Sequence, residues 1–265
     1  MPRNWYRIEA KSDAADIYVY DYIGTWGVEA GTFTKELAAV KDRRVLNLYI
    51  NSPGGDVFEG MTIYNALLDV RNKLTAHVMG LAASMASVIL LAASTRVIHR
   101  GAMVMVHNPW GGCMGTARQM RDTADVLDKI TDQIALLYQD ATGADEARVR
   151  AWMDAETWFN AEEALEHGFA SAVSEQQAAA SIKQKYASKY RNVPGDIVEG
   201  DMEPTIRTAE DALRDAGFSS VRAKAILAKG FARREDGDPC HREDGPDYSA
   251  ALEIVKQIQD SMEAT

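Results

Sequence analysis

Three short stretches of the chain hold residues able to do chemistry together. Gly80-Leu-Ala-Ala-Ser84-Met85-Ala86-Ser87 places a serine where an apolar strand turns into a run of small residues. A serine at a strand-to-helix junction exposes its hydroxyl, and the N–H of the next residue faces the same space. That combination suits a nucleophile with an oxyanion donor beside it. The same small residues also suit close helix packing, and the stretch alone does not separate the two readings. Asn51-Ser-Pro-Gly54-Gly55-Asp56 ends a strand in a sharp turn, where Gly55 can bring a backbone N–H up to a ligand oxygen with no Cβ in the way. Met105-Val106-His107-Asn108-Pro109-Trp110-Gly111-Gly112 sets a histidine at the end of an apolar strand, ahead of an open loop. An imidazole there can be a general base or a structural residue. His77, His99, His167 and His241 are weaker candidates. Cys113 lies in the glycine-rich loop after His107, and it reads as a small apolar residue rather than an activated thiol.

The elements that must position these groups follow from hydrophobic spacing. Residues 16–24 alternate apolar and polar and predict a strand, and Val45–Ile50 predicts another. Thr32–Val40, with Thr34 as a cap, and Phe58–Val70 carry helical spacing. Leu74–Met79 predicts a strand, with the run from Gly80 opening a helix. Arg96–His99 and Ala102–His107 predict two more strands. Thr116–Thr142 predicts a long polar helix with apolar residues at Val126, Ile130, Ile134 and Leu137. Strands alternating with helices point to an α/β fold with parallel pairing.

The texture changes after Val173. Residues 1–175 read as one α/β domain, and 176–204 as a linker or solvated helix rich in Gln, Ala, Ser and Lys. Residues 205–232 read as a helical hairpin, with Gly217 and Gly230 as stops. Residues 233–265 read as a mostly disordered tail with a possible terminal helix. The net charge of −10 argues against a nucleic-acid or anionic-membrane binder. With two cysteines, Cys113 and Cys240, neither a disulfide framework nor a four-cysteine zinc site is expected. No metal or cofactor is expected, no signal peptide or bilayer span is read, and the expected setting is a reducing cytoplasm. No phosphate-binding GxxxxGK[ST] loop occurs, so the chain is not expected to hydrolyse ATP.

Taken together, the three stretches resemble the Clp proteolytic subunit (ClpP) family of serine peptidases. The family pattern is a strand ending in N-S-P-G-G, then G-x-A-A-S-M, then M-x-H-x-P-x-G-G. Here these stand as Tyr49–Gly55, Gly80–Met85 and Met105–Gly112, with a further likeness at Phe159–Ala170. The resemblance covers residues 16–175. It implies an α/β spiral of ββα units with a long handle helix at Thr116–Thr142, assembled as a homo-oligomeric ring. It implies Ser84 as nucleophile, His107 as base, and the N–H groups of Gly55 and Met85 as the oxyanion hole. Val57, Met85, Pro109 and Trp110 become candidates for an apolar pocket beside the cleaved bond. Gly111 and Gly112 become the strand edge that pairs with an extended peptide. The family usually carries Asp five residues before the alanine that opens the next helix. This chain has Glu156 there, ahead of Ala161, with Asp154 two residues earlier as the alternate acid.

The segment Thr205–Gly230 and the early Ile17–Gly24 look like phage and prophage relatives that act as head maturation proteases. That likeness implies an ATP-independent endopeptidase cleaving capsid or scaffold proteins in a bacterial host. A housekeeping-type paralogue working with a Clp ATPase and a non-catalytic assembly scaffold are the alternatives. A third is an acyl-CoA hydratase or isomerase on the same spiral, against which Ser84 and His107 argue.

Overall fold

A computed structural model of the chain describes residues 5–24 and 29–199. The expected helical hairpin at 205–232 and tail at 233–265 lie outside the described residues. The chain forms β1 (Tyr6–Ala10), β2 (Ala14–Tyr20), α1 (Ala30–Val40), β3 (Val45–Ser52), α2 (Val57–Leu68), β4 (Leu74–Ala83) and α3 (Met85–Leu90). It continues through β5 (Thr95–Arg100), β6 (Met103–Val106), α4 (Ala117–Thr142), α5 (Glu146–Ala155), β7 (Thr157–Phe159), α6 (Ala161–Glu166) and β8 (Ala172–Gln177). Last come β9 (Ile182–Lys183), α7 (Gln184–Ala187) and β10 (Val198–Glu199).

The main sheet runs β1-β2-β3-β4-β5-β8, with β6 branching from β4 and β7 pairing with β6. Pairing is parallel from β2 to β8 and between β4 and β6, and antiparallel at β1–β2 and β6–β7. This is the α/β sheet expected from alternating elements. Strict alternation along β3 sends Leu46, Leu48, Ile50 and Ser52 into the core and leaves Asn47 and Tyr49 on the other face. Helices α1 and α2 close the core with Phe33, Leu37, Ile63 and Leu67. Arg96 braces the far side, donating to the carbonyls of Phe169, Gly168 and Ala93.

Helix α4 is the expected long helix. Thr116 and Gln119 form a reciprocal cap at its start, and Gly143 ends it at φ +73°. Its buried residues, Ile134, Ala135 and Tyr138, all fall in its second half, and its first half is largely exposed.

Two expectations are corrected here. The run from Gly80 does not open a helix. Strand β4 continues to Ala83, because Leu81–Ala83 pair with Met103–Met105 of β6 and Ala82 pairs with Ser52 of β3. Helix α3 begins only at Met85. Nor are residues 182–199 a solvated linker. Ile182, Tyr186, Ala187 and Ile197 are buried against Leu81, Ala83 and Met105, forming a second small core behind the β4–β6 junction. We call residues 181–199 the C-terminal arm.

Candidate active site

Ser84 sits between β4 and α3 at φ +53° and ψ −126°. A non-glycine residue in that region is strained and must be held there by its surroundings. Its N–H donates to Met105 O (2.9 Å), and its carbonyl accepts from the N–H of Ser87 (2.9 Å) and the hydroxyl of Ser87 (2.6 Å). Ser87 also pairs with the buried Tyr138 hydroxyl at 2.7 Å, which ties α4 to the serine turn. The hydroxyl of Ser84 projects toward the end of β6, and its Oγ lies 2.8 Å from Nε2 of His107. The sequence separates these groups by 23 residues. Parallel pairing of β4 with β6 brings them together.

The glycine turn is built by its own polar residues. The buried Ser52 hydroxyl donates to Asp21 O (2.7 Å) and accepts from Gly54 N–H (3.1 Å). Asn51 Oδ1 accepts from Leu81 N–H (3.1 Å), joining the turn to β4. Ile23 N–H donates to Gly54 O (2.8 Å), and Asp56 N–H donates to Ile23 O (3.0 Å). This parallel bridge uses the groups on either side of Gly55 and leaves the Gly55 N–H out of the pairing. Met85 is the first residue of α3, so its N–H has no partner within the helix. Gly54, at φ +97°, lies so close that a Cβ on it would be 2.6 Å from Ser84 Cβ and 3.1 Å from Met85 N. Glycine is therefore required by both torsion and space.

Glu156 occupies the end of α5 at φ +51°, with its side chain buried. Its two carboxylate oxygens accept from the backbone N–H groups of Arg191 (2.9 Å) and Asn192 (2.7 Å) in the arm. Asp154 is exposed, and its carboxylate accepts from the Asn108 side chain at 2.7 Å. Of the two expected acids, Glu156 is the one buried beside His107 and acting on it electrostatically. Burial pushes the His107 imidazolium below its ordinary range; Glu156 opposes that shift and Arg191 adds to it. His107 is therefore largely neutral near pH 7, the form a base needs.

A narrow apolar cleft opens beside Ser84 and His107. Val57, Met85 and Pro109 line it, together with Val88, Ile134 and Tyr138. Trp110 does not line it. That side chain is 62% exposed, because the loop carries it outward after Pro109. Gly111 and Gly112 lie exposed in the same loop and pair with no strand among the described residues.

Sequence reasoning missed Tyr190. Its ring meets the His107 ring edge-on with centroids 5.3 Å apart. Its hydroxyl donates to Pro53 O and reaches Ser84. No local pattern marks it, since the site groups it meets, His107 and Pro53, lie 83 and 137 residues away.

A hydroxyl on a strained turn, a neutral imidazole in contact with it, a buried carboxylate behind, and two free amides in front make an apparatus for acyl transfer. The Clp protease family profile matches residues 29–177, which is more than half of the chain. The chain belongs to the Clp protease family. It is similar to the ATP-dependent Clp protease proteolytic subunit 1 of Leifsonia xyli, with 38% identity over 141 residues. That stretch covers 52% of this chain and 72% of the relative. It is equally similar to subunit 2 of Mycolicibacterium paratuberculosis, 38% identical over 136 residues, covering 50% of this chain and 68% of the relative. Membership makes this Clp-family chain a serine-type peptidase. Among the described residues no helix is long and apolar enough to cross a membrane.

Proposed function

We propose that the chain is an endopeptidase whose nucleophile is Ser84, whose general base is His107 and whose orienting acid is Glu156. The observation that carries this is the 2.8 Å contact between Ser84 Oγ and His107 Nε2 at a positive-φ turn. As Oγ attacks the scissile carbonyl carbon, Nε2 takes the hydroxyl proton. The carbonyl π pair moves onto oxygen, which the N–H groups of Gly55 and Met85 receive. Collapse of that intermediate expels the amine, which takes its proton from Nε2, and water then repeats the sequence on the acyl-enzyme. The negative Glu156 stabilises the imidazolium formed in each half. The cleft lined by Val57, Met85, Val88 and Tyr138 is small and apolar, which favours a small or apolar residue before the cleaved bond. A fluorophosphonate probe should label the wild type and not Ser84→Ala, while the variant keeps its assembly state. Peptide cleavage unchanged in Ser84→Ala refutes the assignment.

The natural substrate we propose is a capsid or scaffold protein, cleaved during virion assembly without an ATPase. The likeness of Thr205–Gly230, and of Ile17–Gly24, to head maturation proteases supports this reading. The printed names of the relatives, ATP-dependent proteolytic subunits, favour the alternative of a partner Clp ATPase. Incubation with candidate capsid and scaffold proteins, and identification of new termini by mass spectrometry, tests the first. Capture of a Clp ATPase, with cleavage of folded substrate only in its presence, supports the second. Ring assembly through α4 belongs to the same proposal, and a mass of only 29 kDa at micromolar concentration counts against it.

A further inference from the structure

The arm reaches the peptidase site at three points. Tyr190 donates its hydroxyl to Pro53 O, the residue before the Gly54–Gly55 turn. Its ring lies edge-on against His107. The next two residues give their backbone N–H groups to the two oxygens of Glu156. Side chains of the same two residues fasten them to the Glu156 turn. Asn192 Nδ2 donates to Ala155 O (2.7 Å) and Arg191 Nη2 to Asp154 O (3.0 Å). The arm is itself anchored, since Tyr186 donates to Asp21 at 2.7 Å and Ile182 and Ile197 are buried.

We propose that Tyr190, Arg191 and Asn192 are positioning residues of the peptidase site. In this role Tyr190 holds the oxyanion turn and the imidazole in register, while the two arm amides hold the carboxylate of Glu156. The inference rests on the Ser84–His107 reading and adds a part to it. It also gives a physical account of Glu where the family usually has Asp. The longer side chain has one more rotatable bond, and the pair of amides removes that freedom by fixing both oxygens at once. None of the three residues needs to touch substrate.

The test uses the full chain and the rate at which a fluorophosphonate labels Ser84, measured from pH 5 to 9. Asn192→Pro removes one arm amide, and Tyr190→Phe removes only a hydroxyl. Each should slow labelling by about tenfold, the effect of losing one hydrogen bond to a group of the site. For Tyr190→Phe, peptide turnover should show the loss in kcat with KM little changed. The two variants separate a positioning role from general loosening when combined with Glu156→Gln. If the amide acts through the carboxylate, Asn192→Pro should cost less than about twofold in the Glu156→Gln background. Should Asn192→Pro melt early, Tyr190→Phe decides the matter alone. Labelling within about twofold of wild type in either folded variant overturns the proposal, as does full additivity with Glu156→Gln. Absence of labelling in the wild type itself would instead remove the Ser84 reading.

Discussion

Replacing Gly54 by alanine tests the site at its tightest point. The added methyl carbon would sit 2.6 Å from Ser84 Cβ and 2.7 Å from Ala83 O, both closer than real Cβ contacts. The torsion of +97° adds a cost of about 1–2 kcal/mol for an L-residue in left-handed backbone. Overpacking adds about 1–3 kcal/mol. The chain can relieve this only by moving the glycine turn away from β4 or by displacing Ser84 and Met85. Either motion separates the Gly55 and Met85 amides. Loss of one oxyanion donor is worth about 2.7–4 kcal/mol, or roughly a hundred- to thousandfold in kcat. The matched control is Gly143→Ala. Gly143 has φ +73° at the end of α4, and nothing lies within 4 Å of its missing Cβ. It carries the torsional cost without the clash, so its melting temperature should fall by about 2–8 °C with turnover intact. Cleavage of a fluorogenic peptide and thermal melts of both variants provide the readout. Wild-type kcat in Gly54→Ala refutes the oxyanion geometry. An equal loss of activity in Gly143→Ala shows that stability, and not the site, controls turnover.

Two further outcomes follow from charge and burial. Because burial holds the His107 pKa below its ordinary value near 6.5, the acid limb of the labelling rate should lie below that pH. The rate falls as pH drops through the folded pKa and the imidazole gains its proton. Arg191→Gln removes a cation and should move the limb to higher pH, whereas Glu156→Gln should move it lower; parallel shifts contradict the assignment. Ser87→Ala strands the buried Tyr138 hydroxyl and removes a donor to Ser84 O, which should cost about 1–3 kcal/mol in urea unfolding. Adding Tyr138→Phe should recover part of that loss, and simple additivity would show the pair to be uncoupled.

How much of this was legible in the sequence depends on how local each signal is. The strand-then-small-residue pattern around Ser84 was readable, because torsion and close packing at that turn demand those residue types. The start of α3 was misplaced, since alanine is neutral between states and the β6 partners that extend β4 lie 22 residues onward. Strands β2 to β6 and helix α4 follow from periodicity. Helix α5 and strand β1 went unread, the one short and rich in charge, the other stabilised by its antiparallel pairing with β2. Glu156 was reached through the family resemblance, by its position ahead of Ala161, and the fold buries it while leaving Asp154 exposed. Trp110 was placed in the cleft from its neighbours, and the loop turns it outward. The arm was the largest gap. Ile182, Tyr186, Tyr190 and Ile197 are isolated apolar residues in a polar stretch, and only the distant Leu81, Ala83 and Met105 make a core of them.

Synthesis order gives the late position of the arm a further meaning. A ribosome completes Ser84 and His107 early, and 36 residues separate Glu156 from Asn192. At elongation rates of about 5–20 residues per second, that interval is about 2–7 s. Throughout it the nascent chain carries a hydroxyl and an imidazole, but the carboxylate lacks the two amides that fix it. On the proposed reading of the arm, full peptidase activity is expected only after Asn192 has joined the chain.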